Sequence, residues 1–356
     1  MNQVKKYVII DTDVPHEQGN RFFAPEVINP NRFLWPWRHL YESCLKRDIQ
    51  LITADLYFKM KPKPPQSIFI SIHRFSEITP QLVKSGVRPA IIFGFENPLF
   101  ANRFYLNLKK YTWRFDHAFV WRGAKNRLSS KTTFHDAAFR PHAYPKRKVE
   151  SNFKNKKFLT LINRNNRLHK LRKLYTFAVS LINPLPGLSQ KELYLNRLEA
   201  IKYFSQNPDF DLYGEGWDNP VRYADNLYRE SIRKSYRGYV DDKLETLKQY
   251  RFSICFENAI FPGFITEKII DSIYAGCIPI YYGAPDIVDY IPENIFINFR
   301  RFENYSVLDH YLRNITESEY NQYIENINAF IVSDQARNFT QEKFVEELIK
   351  IFESYY

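Results

Sequence analysis

The run Arg251-Phe-Ser-Ile-Cys-Phe256, with Glu267-Lys-Ile-Ile-Asp-Ser-Ile-Tyr274 and Cys277-Ile-Pro-Ile-Tyr-Tyr282 after it, reads as strand, helix and strand in succession. The outer segments are short apolar runs, as in strands covered on both faces. The middle segment brings Ile269, Ile270 and Ile273 onto one helical face, and Gly276 stops it. A helix between two such strands is the crossover that parallel pairing requires, so the unit predicts a parallel sheet.

The same alternation extends in both directions. Upstream, strands are expected at Phe158–Ile162 and Phe210–Tyr213, with helices at Leu168–Leu181, Glu192–Ser205 and Lys243–Gln249. Before that, strands at Tyr7–Asp11, Gln50–Thr53, Ser67–Ile72, Ala90–Gly94 and His117–Trp121 alternate with helices at Trp37–Lys46, Pro80–Lys84 and Arg103–Lys110. Glu319–Ile331 and Gln341–Ser354 read as terminal helices. Two such series predict an α/β fold with two Rossmann-like domains, expected over residues 1–150 and 151–335, with residues 336–356 as a C-terminal helix. The basic, proline-marked stretch Arg122–Lys157 reads as the connection between them, either a solvated positive loop or part of an anion site.

Composition agrees with this reading. A chain of 356 residues, 44% hydrophobic and 25% charged, can bury two cores and is neither a disordered tail nor a membrane bundle. The balance of 51 basic against 39 acidic side chains favours an anionic partner: nucleic acid, acidic lipid or a phosphorylated small molecule. Cys44, Cys255 and Cys277 make no CxxC pair, which suggests reduced, buried thiols and an intracellular home. Met1–Asp13 holds only Tyr7–Ile10 as an apolar run, short of a signal-peptide core, and no stretch reaches the ~20 apolar residues that span a bilayer. The expected location is cytoplasmic, with peripheral attachment at the inner face of the membrane.

The chemistry is concentrated between Phe256 and Lys268. A loop leaving the carboxyl end of a buried strand and entering a helix is where open α/β sheets bind ligands. Thr266 stands at the N-cap and Gly263 permits close backbone approach. Lys268 falls in the first helical turn, against the positive end of the dipole. It either meets an anion such as a nucleotide diphosphate or pairs with Glu267 or Glu257 on a solvated face. Asn258 either contacts that ligand or closes its own turn. The glycine fingerprint of dinucleotide-binding domains and the Walker lysine loop are both absent from the sequence.

Tyr250-Arg-Phe-Ser-Ile-Cys-Phe-Glu-Asn258, Gly263-Phe-Ile-Thr-Glu-Lys268, Ala275-Gly-Cys-Ile-Pro-Ile-Tyr-Tyr-Gly283, Tyr290-Ile-Pro292 and Phe296-Ile297 together resemble the donor-binding domain of glycosyltransferase family 10, in a bacterial-type form. These are inverting α-1,3/4-fucosyltransferases that use GDP-fucose. The resemblance implies a GT-B architecture, two Rossmann-like domains facing a central cleft, with acceptor on the first and donor on the second. It implies donor-binding roles for Lys268 at phosphate, Glu267 at the ribose, and Asn258. An arginine that neutralises the diphosphate maps onto Arg197 in Tyr194-Leu-Asn-Arg-Leu-Glu-Ala-Ile-Lys-Tyr-Phe204, with Arg172 as competitor; a solvated helix arginine is the alternative. Phe264 stands where the family commonly has tyrosine and Tyr282 where it commonly has tryptophan, and both are assigned to the donor site. Gly214, in Gly214-Glu-Gly216, is either a donor-side turn or an ordinary tight turn.

In the first half, Ala90-Ile-Ile-Phe-Gly-Phe-Glu-Asn-Pro98 followed by Phe115-Asp-His-Ala118 fits the family's layout for its general base and nominates Glu96. A lone carboxylate directly after an apolar strand sits at the sheet edge, where partial burial can raise its pKa; a strand-end surface glutamate is the alternative, and Glu17 and Glu26 stand next in line. No cofactor is implied beyond GDP-fucose as donor substrate, and no divalent metal is essential. His16, His73, His117 and His142 share no ligand spacing, and Asp11-Thr-Asp13 lies in the acceptor-side half.

The expected activity is therefore transfer of fucose from GDP-fucose to a hydroxyl of an oligosaccharide or glycolipid acceptor, in glycosylation serving surface glycan biosynthesis. The alternatives are a related transferase using another GDP-sugar, and a basic nucleic-acid-binding protein, for which no binding motif appears. A basic surface also suits peripheral contact with an anionic membrane.

Overall fold

The computed structural model describes residues 6–12, 14–24, 34–72, 76–138, 144, 147–165, 192–219 and 226–356. The chain divides into two compact units, Met1–Tyr144 with Asn338–Tyr356, and Pro145–Arg337.

Among the described residues of the first unit, β1 (Lys6–Asp11), β2 (Ile49–Thr53), β3 (Ser67–Ser71), β4 (Arg88–Gly94), β5 (His117–Val120) and β6 (Thr133–Asp136) form one sheet, ordered β2-β1-β3-β4-β5-β6 with parallel pairing throughout. Helices α1 (Trp35–Leu45), α2 (Ala54–Lys59) and α3 (Thr79–Lys84) serve its crossovers. The β3–β4 register shifts between Phe69 and Ile70, opposite Pro89, whose missing N–H leaves a gap in any ladder.

Two expectations change here. The segment from Arg103 to Lys110 is not one helix but α4 (Asn102–Leu106) and α5 (Leu108–Thr112), broken at Asn107 with φ −101° and ψ 15°. The stretch read as an interdomain connection contains β6 and a turn of 3₁₀ helix at Arg122–Arg127, so the unit boundary falls beyond both, at Tyr144. β6 is short, polar and an edge strand; with one neighbour it needs no apolar alternation, which is why the pattern hid it.

In the second unit β7 (Lys157–Ile162), β8 (Phe210–Tyr213), β9 (Tyr250–Phe256), β10 (Ile278–Tyr282) and β11 (Ile297–Asn298) form a parallel sheet ordered β11-β10-β9-β7-β8. Helices α6 (Tyr194–Phe204), α7 (Asn226–Ser235), α8 (Lys243–Leu247) and α9 (Glu267–Tyr274) connect these strands, and α10 (Tyr305–Asn314), α11 (Glu317–Ile331) and α12 (Asp334–Arg337) follow them. Gly276 stops α9 as its sequence position predicts. Its φ is +64°, its N–H reaches the Ile273 carbonyl, and the Cys277 N–H reaches back to Ser272, the paired bonds of a Schellman cap. The expected helix at Leu168–Leu181 lies outside the described residues.

The last helix, α13 (Gln341–Glu353), belongs to the first unit rather than standing apart at the end of the chain. Its Phe344, Val345, Leu348, Ile349 and Phe352 enter the core formed by Trp37, Leu40 and Cys44 of α1 and by β1. Cys44, Cys255 and Cys277 are all free and buried, and burial pushes the Cys255 thiol up to about 11.

Leu348 is fully buried, so Leu348→Ala is expected to destabilise the protein by about 2–5 kcal/mol. Chemical denaturation checks this; a loss below about 0.5 kcal/mol, the scale of a surface change, would mean that α13 does not complete the core.

Candidate functional site

In the second sheet the chain leaves β7 toward β8 on one side and returns to β9 on the other. The carboxyl ends of β7 and β9 therefore flank the topological switch point, the place where parallel sheets leave a crevice for a ligand. Asn163 follows one strand and Glu257-Asn258 the other.

Arg197 of α6 reaches this edge from beneath. The Leu193 N–H donates to the Asn258 carbonyl at 3.1 Å and Glu192 bridges to Ala259, which fixes the start of α6 against the loop after β9. The Arg197 guanidinium then donates to the Phe256 carbonyl from Nη2 at 2.6 Å and Nε at 3.2 Å, and from Nη2 to Asn258 Oδ1 at 2.7 Å. It is buried, so the solvated-arginine alternative fails. Every one of these acceptors is neutral. No carboxylate lies within ion-pair distance of Arg197 among the described residues, and burial pulls its pKa down. Tyr194, Glu257, Glu267 and Glu192 offset part of that burial from a distance; a buried cation whose hydrogen bonds all go to neutral acceptors is still costly, and an anion arriving there lowers that cost.

Lys268 is also buried, and it does pair with glutamates, but not on a solvated face. Its Nζ lies 3.2 Å from Glu257 Oε2, 3.7 Å from Glu267 Oε1 and 2.8 Å from Thr266 Oγ1. At 3.2 Å the attraction to Glu257 is on the order of 5 kcal/mol at an effective dielectric of about 20, well above the ~0.3–1 kcal/mol by which the helix dipole opposes the lysine. The carboxylate of Glu257, itself fully buried, also accepts from the Thr266 N–H at 2.8 Å and from the Thr266 hydroxyl. Thr266 occupies the N-cap position of α9 as expected but makes no side-chain cap, because its oxygen is committed to Glu257 and Lys268. Glu257 joins the candidate site here, whereas in the sequence it stands out only as a pairing partner for Lys268. Its signal was a charged residue directly after the buried, mostly apolar strand β9.

The remaining donor-side candidates divide. Glu267 is half exposed beside Lys268. Tyr282, at the end of β10, is partly buried against Phe256 and Phe299, and the Arg300 guanidinium lies 4.9 Å above its ring; Arg300 was not anticipated. Phe264 is buried among core side chains, its carbonyl accepting from the Tyr281 hydroxyl, so its side chain is a packing element here. Gly214 is held by a specific backbone requirement rather than by an ordinary tight turn. Its φ is +126°, and an added Cβ would lie 2.1 Å from the Asn163 carbonyl oxygen, so it exists to let β7 and β8 end in backbone contact. Beside that contact the Asn163 side-chain N–H₂ is buried without a partner. Arg172 lies outside the described residues.

In the first unit Glu96 follows β4. Its carbonyl accepts from the Tyr105 hydroxyl at 3.0 Å and the Trp121 indole at 3.1 Å, so the backbone is fixed while the side chain is exposed. The partial burial expected for it is not found, because the buried residues of this loop are its neighbours Asn97, Pro98 and Leu99. Glu17 is buried and accepts from the Thr12 hydroxyl; Glu26, His73 and His142 lie outside the described residues. Among the described residues no group of three or more His, Cys, Asp or Glu is placed to hold a metal ion.

Comparison with known proteins gives a family match: the model described as "Glycosyltransferase family 10 (fucosyltransferase) C-term" matches residues 170–353. The chain is 32% identical over 127 residues to "Alpha-(1,3)-fucosyltransferase FucT" of Helicobacter pylori, covering 35% of this chain and 26% of the relative. It is 40% identical over 101 residues to "Alpha-(1,3)-fucosyltransferase B" of Drosophila melanogaster, covering 26% and 22%. The matched stretch thus spans about a quarter of either relative's length. Among solved structures, Anabaena Alr3699/HepE in complex with UDP aligns with a TM-score of 0.55 at 9% identity over 98% of this chain and all of that one. An α1,3-fucosyltransferase crystal structure aligns with 0.51 at 16% identity, covering 99% and 91%. With its two parallel-sheet α/β units, the chain has the GT-B fold of these neighbours.

Removing one partner of a buried ion pair strands the other. Glu257→Gln is therefore expected to destabilise the protein by about 3–5 kcal/mol, and adding Lys268→Met should recover much of that loss, measured by urea denaturation. Equal losses adding independently would show that the two side chains are uncoupled.

Proposed function

The chain belongs to glycosyltransferase family 10, and on that premise we propose that it is an inverting α-1,3-type fucosyltransferase acting from GDP-fucose on an oligosaccharide or glycolipid hydroxyl. The observation that carries this reading is Arg197, a buried guanidinium without a carboxylate partner among the described residues, aimed at the carboxyl end of β9 beside Asn258. Lys268 stands in the same electrostatic field through Glu257. The Arg197 guanidinium hydrogen-bonds neutral acceptors alone, with the buried carboxylates Glu257 and Glu192 acting on it only from beyond ion-pair distance; that suits a ligand bringing negative charge to this edge, and a nucleoside diphosphate has it.

In the reaction we propose, the acceptor O–H gives its proton to the Glu96 carboxylate of the first unit. The oxygen forms a bond to the anomeric carbon of the donor, and the bond from that carbon to the diphosphate breaks, its electron pair leaving with GDP. Attack opposite the leaving group turns a β-linked donor into an α-linked product. Arg197 and Lys268 stabilise the charge that grows on the diphosphate, the electrostatic part of the rate. Asn258 keeps the guanidinium aligned, and Glu267, half exposed beside Lys268, is available to the ribose. With these cations supplying the counter-charge, the proposed step needs no divalent ion. Its proposed setting is surface glycan assembly in the cytoplasm.

The donor assignment is tested by titrating GDP calorimetrically and by measuring sugar release from GDP-fucose and from GDP-mannose. Release from GDP-fucose is expected to be the faster; preference for GDP-mannose would move the protein to another donor within the family. Arg197→Lys keeps the charge but loses the planar fork, so GDP affinity should fall at least about tenfold, or 1.4 kcal/mol. Unchanged affinity would remove Arg197 from the diphosphate.

Glu96→Gln preserves size but cannot accept a proton. Turnover is expected to fall about 10²-fold or more while GDP affinity stays as in the wild type. A near-normal kcat would place the base elsewhere.

A further inference from the structure

Between Asn97 and His135 the chain has eight Lys or Arg, four before Asp116 and four after it, and Asp116 is the only acidic residue in that span. Asp116 is itself engaged by Arg88 at 3.1 Å and by the Tyr355 hydroxyl at 2.6 Å. The exposed Arg103, Lys109, Lys110, Arg114 and Lys131 carry no ion pair among the described residues. This part of the first unit therefore presents uncompensated positive charge.

The charge surrounds an exposed aromatic. Trp113, directly after α5, is 59% exposed. With Leu106, Asn107, Lys109 and Lys110 it lines an open groove of about 480 Å³. The loop at 129–132 is tied to the end of α5, since the Ser129 N–H donates to Thr112 Oγ1 at 3.0 Å and the Thr132 hydroxyl to the Thr112 carbonyl at 2.7 Å. Those bonds bring Lys131 Nζ to 5.5 Å over the Trp113 ring. Beneath, Phe104 stacks on Tyr111 across α4 and α5, so the platform has a packed base.

We propose that this face, centred on Trp113 with Lys109, Lys110 and Lys131, docks the protein onto a bilayer rich in anionic phospholipid. A tryptophan has an apolar body and one polar N–H, and it settles at the depth of lipid headgroups. Lysines beside it meet headgroup phosphate while their methylene stems stay against the apolar wall. Among the described residues no helix is long and apolar enough to cross a membrane, so the contact is of the kind that lies on the surface. A single-stranded nucleic acid stacks its bases on open ring faces, and Lys131 occupies one of the two faces of Trp113, which leaves less room for stacking. The inference is independent of the transfer reaction, because neither donor nor acceptor enters its test.

The test is flotation of the full chain with vesicles of phosphatidylcholine alone and of phosphatidylcholine mixed with phosphatidylglycerol. Binding is expected only to the anionic vesicles, and it should weaken as salt rises. Lys109→Glu combined with Lys110→Glu should lower it at least about tenfold, and Trp113→Ala should lower it as well. These side chains are exposed, so the thermal midpoint should stay that of the wild type. Lys59→Glu combined with Lys84→Glu makes the same change of charge on exposed residues elsewhere in the unit and should leave binding nearly intact. Equal losses in the two double variants would overturn the proposal in favour of net charge alone. So would absence of vesicle binding by the wild type, or binding to a single-stranded oligonucleotide that depends on Trp113 more strongly than vesicle binding does.

Discussion

The carboxylate of Glu257 governs the carboxyl edge of the second unit's sheet. An ion with no exposed surface carries a desolvation cost of several kcal/mol unless its lone pairs are filled. Here a backbone N–H, a hydroxyl and an ammonium fill them, and each comes from the entry of α9. The strand end therefore holds the helix start through one side chain. Room for it is made across the sheet, where Gly283 follows β10: a Cβ at that position would lie 2.5 Å from Glu257 Cγ and from the Tyr281 hydroxyl. The sequence Phe-Glu-Asn and the glycine after Tyr282 are two halves of one packing requirement.

From that anchor the remaining geometry follows. Parallel pairing sends the carboxyl ends of β7, β8, β9 and β10 to one edge of the sheet. Glu257 is bound by the Lys268 ammonium from one side, and the Phe256 carbonyl just before it is bound by Arg197 from the other. The chain thus pairs one buried cation directly with a carboxylate and holds the second by neutral acceptors. Where β7 and β8 end, the contact between Gly214 and Asn163 closes the sheet's margin, with the Trp217 indole donating to the same Asn163 carbonyl at 2.6 Å. Under the proposed function, a margin this constrained would orient a diphosphate with little loss of entropy on binding, which is how preorganised sites act.

How much of this could be read from the sequence depended on whether the signal was local. The β9–α9–β10 unit was legible because continuous apolar runs and a helix-period triplet of isoleucines require no knowledge of neighbours, and Glu267–Tyr274 was located to the residue. Arg197 was legible as a position only by resemblance; its burial depends on the bridge between Glu192 and Ala259, residues far apart in sequence. β6 escaped notice because an edge strand is free of the alternation that marks inner strands. The place of α13 was equally hidden. Its apolar stripe says that it must pack, but nothing local says that its partner is Trp37 and Leu40, some three hundred residues earlier. The burial expected for Glu96 rested on its following an apolar strand, yet the carboxylate projects outward while its carbonyl is the part held inside.

The net charge of +12 is better understood by location than by sum. At the switch point, positive charge is scarce, buried and held in place, so salt screens it weakly. On the first unit, between Asn97 and His135, it is abundant and exposed, and no ion pair holds Lys109, Lys110 or Lys131 among the described residues. Exposed charge of that kind acts over about a Debye length and yields readily to ionic strength. The two populations therefore differ in physical character. A buried guanidinium with neutral partners discriminates by geometry, whereas an exposed lysine cluster recognises only the density of opposite charge. Composition alone cannot separate them, which is why a basic chain read by its total invites a nucleic-acid interpretation that neither population requires.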